Sequence, residues 1–330
     1  MKKITLKGMG QVLKNSFEGF FDDKVLKLSA SLAYYTIFSL GPLLIVILYL
    51  CGKFFGREAV EGKIYGEIEN FVGSDTAVQL QEIIKNASIT DQSGISAVIG
   101  LITLLIGATT VFAEIQDSIN TIWNLKPKPG KNTWWQMVKV RLLSFGVIGS
   151  LGFLLLVSLG VSALVEGLSD RLIRQFPDVT VLFFYILNLA ISLLVITSLF
   201  AVIFKVLPDA KIRWRDVIAG SLATALLFML GKLGISFYIS KTNIGSTYGA
   251  AGSLVVLLVW IYYSSTILYF GAEFTKAYAL KFGKSIYPNS YAVIATTVEV
   301  EQGKKTIQQA EKQTEKIKEE IEDEIKEVKK

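Results

Sequence analysis

Three rows of polar residues run through segments that are otherwise apolar, and they are where this chain could do chemistry. Thr103, Gly107, Thr110, Glu114, Asp117 and Thr121 follow one another at steps of three or four, so a helix puts them on one face. The same spacing links Tyr262, Thr266, Tyr269 and Glu273, and links Ser31, Tyr35 and Ser39 to a Gly41-Pro42 step. Carboxylates and hydroxyls so arranged suit a route for an ion or for the polar part of a larger substrate. The same groups also serve as interhelical hydrogen bonds, each worth about 0.6 kcal/mol in membrane bundles.

Other chemistries are closed off by composition. The chain has no histidine and a single cysteine, Cys51. Zinc and haem ligation and Ser-His or Cys-His nucleophilic catalysis therefore have no residues to work with. No Walker or dinucleotide fingerprint is present. The expectation is no catalytic residues, no metal, no cofactor, and a protein that is not an enzyme.

The elements that hold the polar rows are long and greasy. Of 330 residues, 52% are hydrophobic, and the mean hydropathy is +0.48. Charged residues are missing from 28–52, 92–113, 142–165, 179–204 and 242–272, and Lys232 alone interrupts 217–240. Each is long enough for a bilayer core, which takes about 20 apolar residues in a helix. Only helices or closed barrels satisfy their own backbone in lipid. The fold class expected is all-α: a polytopic membrane protein with six transmembrane helices at about 28–52, 92–113, 142–165, 179–204, 217–240 and 249–272. The first segment is too long for a signal h-region and has no A-x-A exit, so it reads as a retained helix.

Charge sets the orientation. The loops on one side carry 18 lysines and arginines and those on the other carry seven, which places both termini in the cytoplasm. The formal charge of +6 then belongs mostly to the inner leaflet and suits anionic lipid headgroups. No basic and aromatic groove accompanies it, so nucleic acid is not an expected partner.

Outside the spans, Met9, Val12, Leu13, Phe17, Phe20 and Phe21 predict an amphipathic helix in the cytoplasmic interface. Two short amphipathic helices are expected in the first outer loop, one through Val60, Ile64, Ile68 and Phe71, the other through Ala77, Leu80, Ile83 and Ile84. Trp123, Trp134 and Trp135 stand where an aromatic belt belongs. Residues 304–330 hold eight lysines and eight acidic residues, which predicts a charged cytoplasmic helical tail. The expected division is a membrane domain over 1–290 and a tail over 291–330. The tail's thin apolar seam leaves room for a protein partner, and Gly-rich faces leave room for a homo-oligomer. Gly41-Pro42 removes one helical hydrogen bond and predicts a kink in the first span. Lys232 is placed to snorkel outward or to pair with a carboxylate.

Polar faces turn toward a bundle interior or a water-filled cavity. The first, second and sixth spans are therefore expected to meet around a partly hydrated space lined by Tyr35, Ser39, Thr110, Glu114, Asp117, Tyr262, Thr266, Tyr269 and Glu273.

Four elements in order carry a resemblance to a family. The run Leu32-Ala33-Tyr34-Tyr35-Thr36-Ile37-Phe38-Ser39-Leu40-Gly41-Pro42-Leu43-Leu44 resembles the opening signature of the YihY/virulence factor BrkB-like family of bacterial inner-membrane proteins. Ile119-Asn120-Thr121-Ile122-Trp123 resembles its element after the second helix. Pro208 with Trp214 and Gly220 is similar to its entry to the fifth helix, and Tyr248-Gly249 through Trp260-Ile261-Tyr262 to Gly271-Ala272-Glu273 to its last. The resemblance covers about residues 10–285 and implies six transmembrane helices in a bacterial inner membrane. It implies roles in moving lipid-like or amphiphilic molecules or in cation/proton exchange. A non-transporting envelope scaffold whose tail recruits partners is a separate expectation. Members also carry an old ribonuclease BN label. The nuclease of that name needs a histidine-rich metal motif, and this chain has no histidine.

Overall fold

The structure is a computed structural model that describes residues 4–39, 107, 110–128, 177–242, 251–283 and 286–295. It is mostly helical. Helix α1 (Leu6–Asp22) is followed by α2 (25–39) and α3 (110–122). Strand β1 (Leu125–Pro127), α4 (Pro177–Val206), β2 (Ala210–Lys211) and α5 (Trp214–Thr242) come next. Helix α6 (Gly252–Phe282), β3 (Tyr287–Pro288) and β4 (Ala292–Ile294) complete the order. Residues 1–294 form one compact unit and 295–330 a second.

Three helices among the described residues are long and apolar enough to cross a membrane: Ile186–Val206, Trp214–Ile239 and Leu254–Phe282. At 1.5 Å per residue each exceeds a hydrocarbon core of about 30 Å. They overlap the uncharged stretches 179–204, 217–240 and 242–272. The third span, most of the first and second, the Gly41-Pro42 kink, the outer-loop helices and the charged tail lie outside the described residues.

Helix α1 starts where Thr5 caps it, its hydroxyl accepting from the Gly8 N–H at 3.1 Å. It stops at an elbow where Lys24 takes φ 54° and α2 begins at once, the Leu28 N–H donating to the Lys24 carbonyl. Gly8, Val12 and Ser16 are buried, and Val12 packs with Phe274, Tyr278 and Phe282 of α6. The other side leaves Leu6, Leu13, Phe17 and Phe21 exposed.

Two helices continue past the uncharged stretches: α6 runs to Phe282 and α3 to 122. The charges they carry past those stretches pack at the bundle's end. The fold is also not purely helical. β1 pairs antiparallel with β4, Lys126 opposite Val293, and β2 pairs with β3, Lys211 opposite Tyr287. Short strands satisfy backbone groups where the chain leaves its helices.

α5 and α6 approach closely through a reciprocal exchange. A Cβ on Gly220 would overlap the Thr275 hydroxyl, and one on Gly271 would overlap that of Thr224. Both threonines are fully buried, and each hydroxyl donates one turn back, to Gly220 O and Gly271 O at 2.7 Å. The polar atoms are thus satisfied within their own helices. An aromatic chain adds to the seam, with Phe228 against Phe200 of α4 and stacked on Trp260 of α6 at 5.5 Å.

Gly220→Ala should lower the melting temperature of the detergent-solubilised protein, since overpacking of this kind costs about 1–3 kcal/mol. Gly234, which has open space where a Cβ would go, should tolerate alanine with no loss. Equal behaviour of the two variants would contradict the close approach.

Candidate functional site

The polar residues collect at one end of the bundle, where α1, the starts of α2 and α5, and the ends of α3, α4 and α6 meet. At the centre is Asp209, in the turn between α4 and β2, which is 6% exposed. Gln116 Nε2 donates to one carboxylate oxygen at 2.8 Å and Asn120 Nδ2 to the other at 2.9 Å. The Asp209 N–H donates in return to Asn120 Oδ1 at 2.9 Å, and its carbonyl accepts from the Asn289 N–H. Asn289 Nδ2 reaches the Tyr291 hydroxyl at 3.2 Å. Tyr291's own ionisation is pushed up, first by burial and then by the negative charge of Asp209.

A second joint sits beside the first. Lys276 Nζ lies 3.4 Å from Asp23 of the α1–α2 elbow and 3.8 Å from Glu273, and it donates to the Ile122 carbonyl at the end of α3. Trp123 Nε1 donates to the Ala272 carbonyl at 3.1 Å. Glu273 is 2% exposed, and Gly19 of α1 makes room for it, since a Cβ there would lie 2.6 Å from its carboxylate. Asp216 is buried at the first turn of α5, where the helix dipole favours an anion. Gly283 makes similar room for it.

The expected site residues divide. Tyr269 and Glu273 are buried, Tyr262 and Thr266 half-buried, all on α6. The Tyr269 hydroxyl lies beside Ser118 and within electrostatic reach of Glu114 and Asp117. Thr110 and Glu114 are half-buried, but Asp117 and Thr121 are exposed. Asp117's carboxyl is nevertheless pushed above its usual range, first because the protein around it limits its hydration and then by the charges of Glu114 and Asp209. Ser39 meets the second span at Gly107, where a Cβ would stand 2.9 Å from its hydroxyl. Tyr35 is 37% exposed and packs on Tyr34. Gly41 and Pro42 are outside the described residues.

Among the described residues, the start of α2, the end of α3 and α6 share one core. What fills their meeting at this level is apolar: Val25 and Leu32 of α2, Ile115 and Ile119 of α3, and Leu268 of α6 belong to one core. The polar row of α3 flanks that core on the open side. The buried polar face of α3 is instead Gln116 and Asn120, two residues out of step with Glu114 and therefore nearly opposite on the helix.

Sequence reasoning missed Asp209, Gln116, Asp23, Lys276 and Asn289. One local signal existed, two amides at i and i+4 among isoleucines. Their partner stands 89 residues or more away, where spacing is silent.

The profile of the virulence factor BrkB family matches residues 16–290. The chain belongs to the virulence factor BrkB family. It is 30% identical over 281 residues to a UPF0761 membrane protein of Tolumonas auensis, covering 78% of this chain and 84% of that one. Over 265 residues it is 27% identical to a UPF0761 membrane protein of Vibrio vulnificus, covering 77% of this chain and 78% of the relative. A UPF0761 membrane protein of Rhodospirillum centenum is 27% identical over 271 residues, covering 80% and 56% respectively. No solved structure matches. These BrkB-family relatives are named as membrane proteins and not as enzymes.

Asn120→Leu should cost about 3 kcal/mol, because hydrogen bonds to a buried charge are each worth about 1.5–3 kcal/mol and the Asp209 N–H would lose its acceptor. Thermal melting in detergent measures this. A melting temperature within one degree or so of wild type, for a domain in which about 1 kcal/mol moves it by a few degrees, would contradict the joint.

Proposed function

We propose that this protein is a transporter or flippase that moves a lipid-like or amphiphilic substrate across the bacterial inner membrane, with its jointed end in the cytoplasm. The observation that carries the reading is the row of Thr110, Glu114 and Asp117 on the open flank of an apolar core, with the Tyr269 hydroxyl buried behind it within electrostatic reach of both carboxylates. An amphiphile needs both surfaces side by side, a polar track for its head and an apolar one for its tail. The basic residues Lys126, Lys128, Lys211 and Arg213, all exposed at the same end, supply attraction for anionic heads.

Cation/proton exchange is the weaker reading. It needs an ionisable carboxylate near mid-depth. Glu273 lies about 28 Å along α6 from Leu254 at 1.5 Å per residue, near the edge of the hydrocarbon core, and Lys276 occupies its charge. The scaffold reading assigns partner recruitment to the tail and needs no polar flank.

Purified protein in liposomes should move a fluorescent lipid between leaflets without collapsing a pH gradient. Glu114→Gln and Tyr269→Phe should each slow that movement by about tenfold, equivalent to about 1.4 kcal/mol of barrier. Wild-type rates in both variants would refute the polar flank as the route. No lipid movement by the wild-type protein would overturn transport altogether.

A further inference from the structure

Away from that flank, α4 and α5 part to leave a crevice of about 570 Å³, within the roughly 300–1,000 Å³ of ligand pockets. Its walls are Leu193, Thr197 and Ala201 of α4 and Trp214, Ile218 and Leu222 of α5. The spacing by fours explains the shape, since each helix contributes one face. Ala190 and Val202 mark its ends on α4, so it extends about 18 Å along the helix at 1.5 Å per residue. That is a little over half of a bilayer core of about 30 Å, or one leaflet. The slot is long and apolar, and Leu194, Ile218 and Leu222 along it are exposed.

Its mouth at the jointed end has a different character. Trp214 is 54% exposed, Lys205 Nζ sits 5.6 Å over its ring, and Arg213 beside it is exposed. Lys205 is held there by donating to the Ile212 carbonyl. An indole at the interface with two cations at hand suits a phosphate just outside the hydrocarbon.

We infer that this crevice is a binding site for one anionic phospholipid, an acyl chain lying along the α4–α5 slot and the phosphate held at the Lys205–Arg213–Trp214 rim. The charge of the rim selects an anionic lipid over a zwitterionic one. The length of the slot selects a single chain of the leaflet on that side. The site is independent of the proposed transport route, which lies on α3 and α6, and occupancy requires no translocation.

Native mass spectrometry of the full chain, released from detergent containing equal phosphatidylglycerol and phosphatidylcholine of matched chains, tests it. Wild type should retain one phosphatidylglycerol in preference to phosphatidylcholine by at least about fivefold, the gain expected from one Lys or Arg near an anionic headgroup. Ile218→Trp, which fills the slot from an exposed position, should lose the retained lipid. Arg213→Gln should keep a lipid but lower its preference for phosphatidylglycerol by about fivefold, Lys205 remaining at the rim. Equal retention of both lipids by wild type, or an unchanged adduct in Ile218→Trp, would overturn the site. If Ile218→Trp does not fold, Arg213→Gln decides alone, and an unchanged ratio there overturns it. Because the readout is retention, failure of lipid movement in liposomes leaves this result standing, and the reverse holds too.

Discussion

A buried carboxylate that cannot be left unpaired organises this end of the molecule. Asp209 sits in a turn, yet it is almost entirely removed from water. An isolated ion so placed costs several kcal/mol, so it must be met by donors, and Gln116 and Asn120 of α3 meet both oxygens. The reciprocal bond from its own N–H to Asn120 fixes the turn's backbone as well as its side chain. Once the turn is fixed, β2 is in register to pair with β3, and the Asp209 carbonyl receives Asn289. The chain then continues into β4, which pairs with β1. One hydrogen-bonded carboxylate thereby ties the connection between α4 and α5 to the segments that follow α3 and α6.

The Lys276 joint applies the same logic to α1. One ammonium answers Asp23, Glu273 and the end of α3, so the amphipathic helix is anchored by charge as well as by Val12 against α6. This helps explain why Glu273 belongs to the fastening of the bundle and Glu114 and Asp117 to its open flank.

Length and hydropathy made the spans at α4, α5 and α6 readable, because twenty or more apolar residues in a row leave few alternatives to a membrane helix. Where α6 ends was not readable. Glu273 and Lys276 look like the start of a solvated loop until Asp23, 253 residues before the lysine, is seen to share it. The strands were invisible for a related reason: two or three residues carry no period, and their pairing joins segments far apart. Gln116 and Asn120 were hidden by the more conspicuous row through Glu114 and Asp117. The family-like elements, by contrast, turn out to mark contacts. Asn120 holds Asp209, Trp123 donates to α6, and Gly220 and Gly271 receive the threonines of the facing helix. A motif read only as likeness proves to be a set of packing and hydrogen-bonding requirements, which helps explain why it was recognisable without revealing a substrate.

Amide hydrogen exchange across residues 207–212 tests the central contact most directly, because it reads the Asp209 N–H that Asn120 accepts. The account predicts that this amide, though it lies in a turn between helices, exchanges as slowly as those of the helices it joins, through global opening and not local fraying. Exchange at the rate of an exposed loop would contradict it.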